Sequence, residues 1–324
     1  MRPDTSLALA ALLCLAPLPA LAAHVFAPKA LEADEYAETF TFVADLDDGS
    51  YAQVQLSVTN LGPGSGHGIC RALHVPASGQ AWSGGERVGA KDWGHTAAGG
   101  GELLRVGPCS IRSAGNRTTV SARLDGRQIQ LVFPAPAPER PPSHELPVGG
   151  GSHVTELVSV GAPVRLQIRG GGAPIALEGS GYADHSVSTV EPRVLARRWV
   201  RFRALRGERK LVLLGREALE GGFRPLWLRR AAGRYDTFAR FAVARNGEAK
   251  APRFVATVEG EQGALRIESD RVLHRHAPVE EFGVLSSVVK AFAGSPVTYT
   301  CRATLHGPGG ETVPGILEIS LAEE

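Results

Sequence analysis

Lysine is scarce in this 324-residue sequence: only five of its 35 basic side chains are lysines, and the rest are arginines. Against 33 acidic residues they leave a formal net charge of +2, so no global field draws the chain onto nucleic acid or an anionic membrane. Aromatic residues are only 6% and charged residues 21%, against 43% hydrophobic, which suffices for a sizeable core and excludes general disorder. Beyond the first two dozen residues there is no apolar run of about 20, so no membrane-spanning helix is expected in the mature chain. Neither a CxxC nor an HxxxH pair occurs, which removes the common zinc signatures. His274 and His276 have strand spacing and share a face, but an isolated HxH is not a metal site, and neither metal nor cofactor is expected. The runs Gly99-Gly100-Gly101 and Gly170-Gly171-Gly172 lack the strand–GxGxxG–helix setting of a nucleotide site. Ser180, in Glu178-Gly179-Ser180-Gly181, lacks the frame of a hydrolase nucleophile elbow.

What is present starts with a secretory signal. Arg2 supplies the positive end, Leu7 to Ala16 the short apolar stretch, and Ala20-Leu21-Ala22 the small-x-small cleavage site. The mature chain is expected to begin near Ala23, in the periplasm or outside the cell. Cys14 leaves with the signal, and Cys70, Cys109 and Cys301 remain. In an oxidising compartment Cys70 and Cys109, both near strand ends in the first half, form the expected pair. Cys301, inside the strand-like run Thr298 to Arg302, is expected as a buried free thiol.

Period-two alternation between Gly- and Pro-containing turns dominates the rest. Thr39 to Leu46 puts Phe40, Phe42 and Ala44 on one face, and Asp47-Asp48-Gly49 turns into Tyr51 to Asn60. Trp199 to Leu205 puts Val200, Phe202 and Ala204 inward and Arg201 and Arg203 outward. The arginines from Arg193 to Arg206 then read as a solvated rim. Helical periodicity is best between Val279 and Phe292 and otherwise scarce. Many short strands at this spacing predict an all-β sandwich or barrel. The proline-rich, then glycine-rich stretch Pro134 to Gly151 reads as a linker or long connection, with enough strands on each side for a small closed barrel.

The most distinctive segment is Leu177-Glu178-Gly179-Ser180-Gly181-Tyr182-Ala183-Asp184-His185, followed by Arg198-Trp199-Val200-Arg201-Phe202. Its glycines permit close backbone approach. Alternation places Tyr182 and Asp184 on one face and His185 on the other. An acid, a phenol and an imidazole can transfer protons in a dry cavity, or can simply close a barrel end by hydrogen bonding. The segment resembles the Gly-x-Gly-Tyr-x-Asp-His motif of a superfamily that contains carotenoid 1,2-hydratases (hydroxyneurosporene synthases) and fungal survival-factor proteins. Glu38-Thr39-Phe40-Thr41-Phe42 is similar to the opening strand of its members. The resemblance implies two consecutive lipocalin-like antiparallel β-barrels, divided here as residues 23–170 and 171–324 after a signal over 1–22. It also implies roles for Asp184 and His185 in protonating an isoprenoid double bond, with Tyr182 as the candidate supporting group beside them. Trp199 and Phe202 are the candidate ligand-contacting aromatics. The hydratase pattern has a Trp two positions after the His, where this chain has Val187, and its later Tyr-x-Asp has no counterpart at the expected distance.

The leading expectation is thus an exported lipocalin-like binding or carrier protein for a hydrophobic, lipid or isoprenoid-like ligand. The rival is a hydratase, cyclase or isomerase acting on a polyene, with Asp184 as general acid. A structural interaction protein with filled barrels is the third reading.

Overall fold

A computed structural model describes residues 24–61, 65–142, 145–190, 192–208, 210–217, 226–230, 233–238, 240–248, 251–260, 263–277 and 296–322. The expected signal segment and the helical candidate Val279 to Phe292 lie outside these residues. The protein is all-β, with a single described helical turn, Pro192–Leu195. The first sheet has twelve strands: β1 (Ala37–Leu46), β2 (Tyr51–Thr59), β3 (His67–Val75), β4 (Trp82–Val88), β5 (Trp93–Ala98), β6 (Gly101–Val106), β7 (Cys109–Ala114), β8 (Arg117–Leu124), β9 (Arg127–Pro134), β10 (Glu145–Val148), β11 (Gly151–Arg169) and β12 (Ile175–Ser188). The second has nine: β13 (Arg198–Ala204), β14 (Leu211–Glu217), β15 (Leu226–Arg229), β16 (Tyr235–Phe238), β17 (Arg240–Glu248), β18 (Ala251–Gly260), β19 (Gly263–His276), β20 (Val297–His306) and β21 (Thr312–Leu321). All pairings are antiparallel, and the two sheets curl into a nearly closed barrel and a half-barrel, a duplicated lipocalin-like fold.

Each barrel is filled by its own alternating apolar face. Phe40, Phe42, Leu56, Ile111 and Leu131 belong to the first core, and Val200, Phe202, Leu213, Phe254 and Ile267 to the second. Cys70 on β3 and Cys109 on β7 lie in the first core and are joined by a disulfide, S–S 2.06 Å. Cys301 is free and buried in the second core, and burial pushes its thiol up to about 12.

The change of sheet falls at 189–197, not at residue 170. β12 pairs along its length with β1 at the start of the chain, so the motif strand closes the first sheet rather than opening the second. The stretch Pro134 to Gly151 is likewise part of the first sheet. β10 pairs with β11, Leu146 is buried, and Glu139 exchanges backbone bonds with Leu157 at 2.7 and 2.9 Å.

The motif glycines are explained by close approach of β1 and of a side chain from β9. A methyl group on Gly179 would lie 2.4 Å from the Asp45 carbonyl oxygen and 2.6 Å from the Leu46 Cα; on Gly181 it would meet the Phe133 ring at 2.3 Å. Backbone cannot yield as a flexible side chain can. Gly179→Ala should therefore cost roughly 1–3 kcal/mol, the range for overpacking. Urea unfolding measures this, and an unchanged midpoint would mean that β1 and β12 separate freely here.

The outer face of the first sheet is not left to water. Val43, Tyr51, Leu157 and Tyr182 pack against Leu205, Val212 and Ile316 of the second sheet in a third buried cluster. This seam, where the two sheets cover each other, corrects the solvated-rim reading for two of the arginines: Arg203 is fully buried and Arg201 is only 13% exposed, whereas Arg197 and Arg206 are exposed as expected. Alternation assigned the face of Arg201 and Arg203 correctly, but that face meets the other barrel.

Candidate functional site

Strand β12 sends its motif side chains to two different places. His185 points into the first barrel, stacked on Phe40 with ring centroids 4.3 Å apart, and its Nε2 lies 2.6 Å from Glu38 Oε1. The other oxygen of Glu38 accepts bonds from the Tyr36 hydroxyl at 2.5 Å and the Lys29 amide at 2.7 Å. Glu38 and Tyr36 are almost fully buried, and burial followed by the Glu38 carboxylate pushes the Tyr36 phenol up, so it stays a donor. This set ties the segment before β1 to the inside of the barrel, a structural closure of the kind the motif allows. Its acid is Glu38, not Asp184.

Tyr182 and Asp184 face the seam. The register places them in rows that run across the first sheet: Leu157–Asp184–Thr41–Gln55–Arg71, and Val160–Tyr182–Val43–Gln53–Leu73. The second sheet opposes them with Leu214–Arg201–Glu318–Thr300–His274 and Val212–Arg203–Ile316–Arg302. Arg203 stands between the two sheets. Its guanidinium lies 4.5 Å from the centre of the Tyr182 ring. Its Nη2 is 3.9 Å from Asp184 Oδ2, an ion pair too long for a hydrogen bond. Its Nη1 donates to Glu318 at 3.3 Å, and Arg201 donates to the same carboxylate at 3.0 Å. Burial alone would raise the Glu318 carboxyl; the two arginines outweigh it and hold the group below its usual range, hence ionised. Burial, then Asp184, pushes the Tyr182 phenol up, so it is a proton-bearing group at neutral pH.

The rows of both sheets run outward into a cleft of about 520 Å³. Gln53, Gln55, Arg71 and Leu73 line one wall; Thr298, Thr300, His274 and His276 line the other, and Glu318 stands on the second wall where the rows run inward to the seam. Burial lowers the imidazole of His274; burial, then Arg71 and His274, pushes His276 down to about 4, so both are neutral at pH 7. Arg71 hydrogen-bonds His276 across the cleft. Among the described residues no group of three or more metal-type ligands converges, and no helix is long and apolar enough to cross a membrane.

Two further clamps tie the sheets together across the seam. Asp45 of the first sheet accepts from Arg302 at 2.7 Å and Arg206 at 3.1 Å. Glu139 is gripped by both ends of Arg229, at 2.5 and 2.9 Å, and by the Tyr235 hydroxyl at 3.1 Å.

The structure therefore brings Tyr182 and Asp184 together and places His185 behind them, on the far side of the sheet. Trp199 and Phe202 are also separated: Phe202 is in the second core, while Trp199 faces the seam, 5.6 Å from the His153 ring. Sequence reasoning did not find Glu318, Gln55 or Glu38. The available signal was an acid at an alternating position inside an otherwise apolar strand, as in Ile316-Leu317-Glu318-Ile319.

No family model matches the chain, and no curated protein matches it significantly. Solved structures do. An AttH candidate from Nitrosomonas europaea is 14% identical, with a TM-score of 0.62 over 90% of this chain and 94% of the other. CghA with Sch210972 is 12% identical, with a TM-score of 0.60 over 89% and 88%. Kievitone hydratase from Nectria haematococca is 11% identical, with a TM-score of 0.56 over 88% and 87%. These likenesses establish a shared fold.

Proposed function

We propose that this chain is an exported enzyme of the hydratase or isomerase kind, moving a proton on a small unsaturated molecule held in the cleft between the barrels. The observation that carries the reading is Glu318: an ionised carboxylate that reaches the cleft and is held by two arginines beside Asp184 and Tyr182. A carboxylate so placed can accept a proton from an attacking water or from the ligand. A ligand entering along the row from Arg71 meets Gln55 and Thr41 and then Asp184, the candidate acid. Both barrel interiors carry packed apolar cores, which directs the search for a ligand to the seam. Kievitone hydratase has the same fold, and the carotenoid 1,2-hydratase resemblance of the motif points the same way. The bonded pair Cys70–Cys109 suits a periplasmic or secreted location.

One observation favours the carrier reading instead. Asp184 and Tyr182 are absent from the cleft's lining, and Leu73 and Ala277 give the cleft apolar ground for a lipid or isoprenoid-like molecule. Mass spectrometry of solvent extracts from protein purified from its host identifies the retained molecule, which is then incubated with the protein. An enzyme returns an isomer or a product differing by one water. Glu318→Gln and Asp184→Asn should each keep the fold and lower turnover by 100-fold or more, within the range for loss of an acid–base group. A molecule recovered unchanged after long incubation with wild type would leave the carrier.

A further inference from the structure

Among the described residues, three arginines on adjacent strands of the second sheet stand opposite two carboxylates in the middle of the seam. Arg201, Arg203 and Arg216 all face it, against Asp184 and Glu318. Arg201 and Arg203 are both engaged with Glu318; Arg216 is not. It is only 4% exposed, yet no described carboxylate pairs with it, and its Nε is buried without a hydrogen-bond partner. Glu217, its chain neighbour, points to the other face and pairs with Arg198 at 3.7 Å. What Arg216 does have is an aromatic floor: its guanidinium lies 5.4 Å from the centre of Trp199, which Arg201 approaches at 5.7 Å. His153, on the opposing sheet, completes the surroundings with its Nδ1 also unpartnered. Burial, then Arg216 and Arg201, pushes this imidazole well below its usual range, so it adds no charge.

A buried guanidinium without a carboxylate partner is costly, and among the described residues only the Trp199 ring offsets part of that cost. Burial and the neighbouring Arg201 push Arg216 down to about 9, so it still carries its charge at neutral pH. Its row across the second sheet is Arg216–Trp199–Ser320–Thr298–His276, and Thr298 and His276 line the cleft. Arg216 thus lies at the inner end of a row whose outer end is the cleft wall.

We propose that the molecule bound between the barrels carries an anionic group, a carboxylate or an enolate, and that Arg216 receives it over the face of Trp199. This rests on the cleft being the ligand site. A planar guanidinium whose Nε–H is buried and unpartnered suits a planar, delocalised anion better than a compact ion. The anion would leave the remainder of the molecule lying outward along Ser320 and Thr298, within reach of Glu318 on the adjacent row.

The test uses sodium benzoate and its neutral isostere benzamide, titrated calorimetrically into the full mature protein and into Arg216→Met, with thermal melts of both proteins. Methionine keeps the apolar stem and removes the charge. Benzoate should bind wild type at least 10-fold more tightly than benzamide, and Arg216→Met should lose that preference while melting at the same temperature or higher. A residue kept for structure would behave in the opposite way, with melting lowered and the preference intact; that result overturns the proposal. Equal binding of both probes to wild type also overturns it while leaving the cleft reading in place. Binding of neither overturns the anion site and the cleft reading together.

Discussion

Arg203→Met should cost the folded protein about 3–5 kcal/mol, the range for breaking a buried ion pair by removing one partner. Arg203 is fully buried between two carboxylates and a phenol ring. Without it Asp184 loses its ion-pair partner within 4 Å, and Arg201 is left to face both Asp184 and Glu318. The effect has a pH signature. Glu318 titrates below its ordinary value of 4.5 in the folded state. Its contribution is present above that pH and is lost as the pH falls through the depressed folded value. The variant lacks part of this contribution, so the stability gap between wild type and variant should shrink below about pH 4.5. Urea unfolding at pH 7 and pH 4 measures both numbers. A gap that is small at pH 7, or constant with pH, would mean that the charges in the seam are not coupled as their geometry requires.

The second large effect concerns the disulfide. Cys70 and Cys109 are 39 residues apart, and closing a loop of that length restricts the unfolded chain by about 4 kcal/mol on the chain-entropy model. The Cys70→Ser/Cys109→Ser double variant should therefore unfold at markedly lower urea than the oxidised protein. Because the pair lies in the core of the first barrel, reductant should open it only after that barrel loosens. Identical midpoints for the oxidised protein and the double variant would show that the link adds nothing to stability.

Much of this architecture was legible in the sequence because alternation is a local property. The faces of Val200, Phe202 and Ala204, of Arg201 and Arg203, and of Tyr182, Asp184 and His185 all follow from period two, and the structure keeps every one. Alternation does not say what covers a face. Strand β1 is buried on both sides, so Thr41 and Asp45 are as hidden as Phe40 and Phe42, and an arginine on the outer face of β13 meets a carboxylate rather than water. Partners distant in sequence were equally beyond reach: Glu38 and His185 are separated by 147 positions and are brought together only when β12 returns to pair with β1. The Pro- and Gly-rich stretch misled for a related reason. Composition marks where regular structure pauses, and it cannot show that the chain then re-enters the same sheet through β11 and β12.

The two packed cores share no residue, while every group proposed to act on a ligand lies where the barrels touch. That division has a kinetic consequence. Each sheet pairs only strands from its own half of the chain, so the halves can condense as separate folding units. The cleft comes into being only at the docking step, when Tyr182 and Asp184 of the first sheet come up against Arg203 of the second. Binding competence should accordingly be the last property to return during refolding, lagging behind the recovery of strand signal.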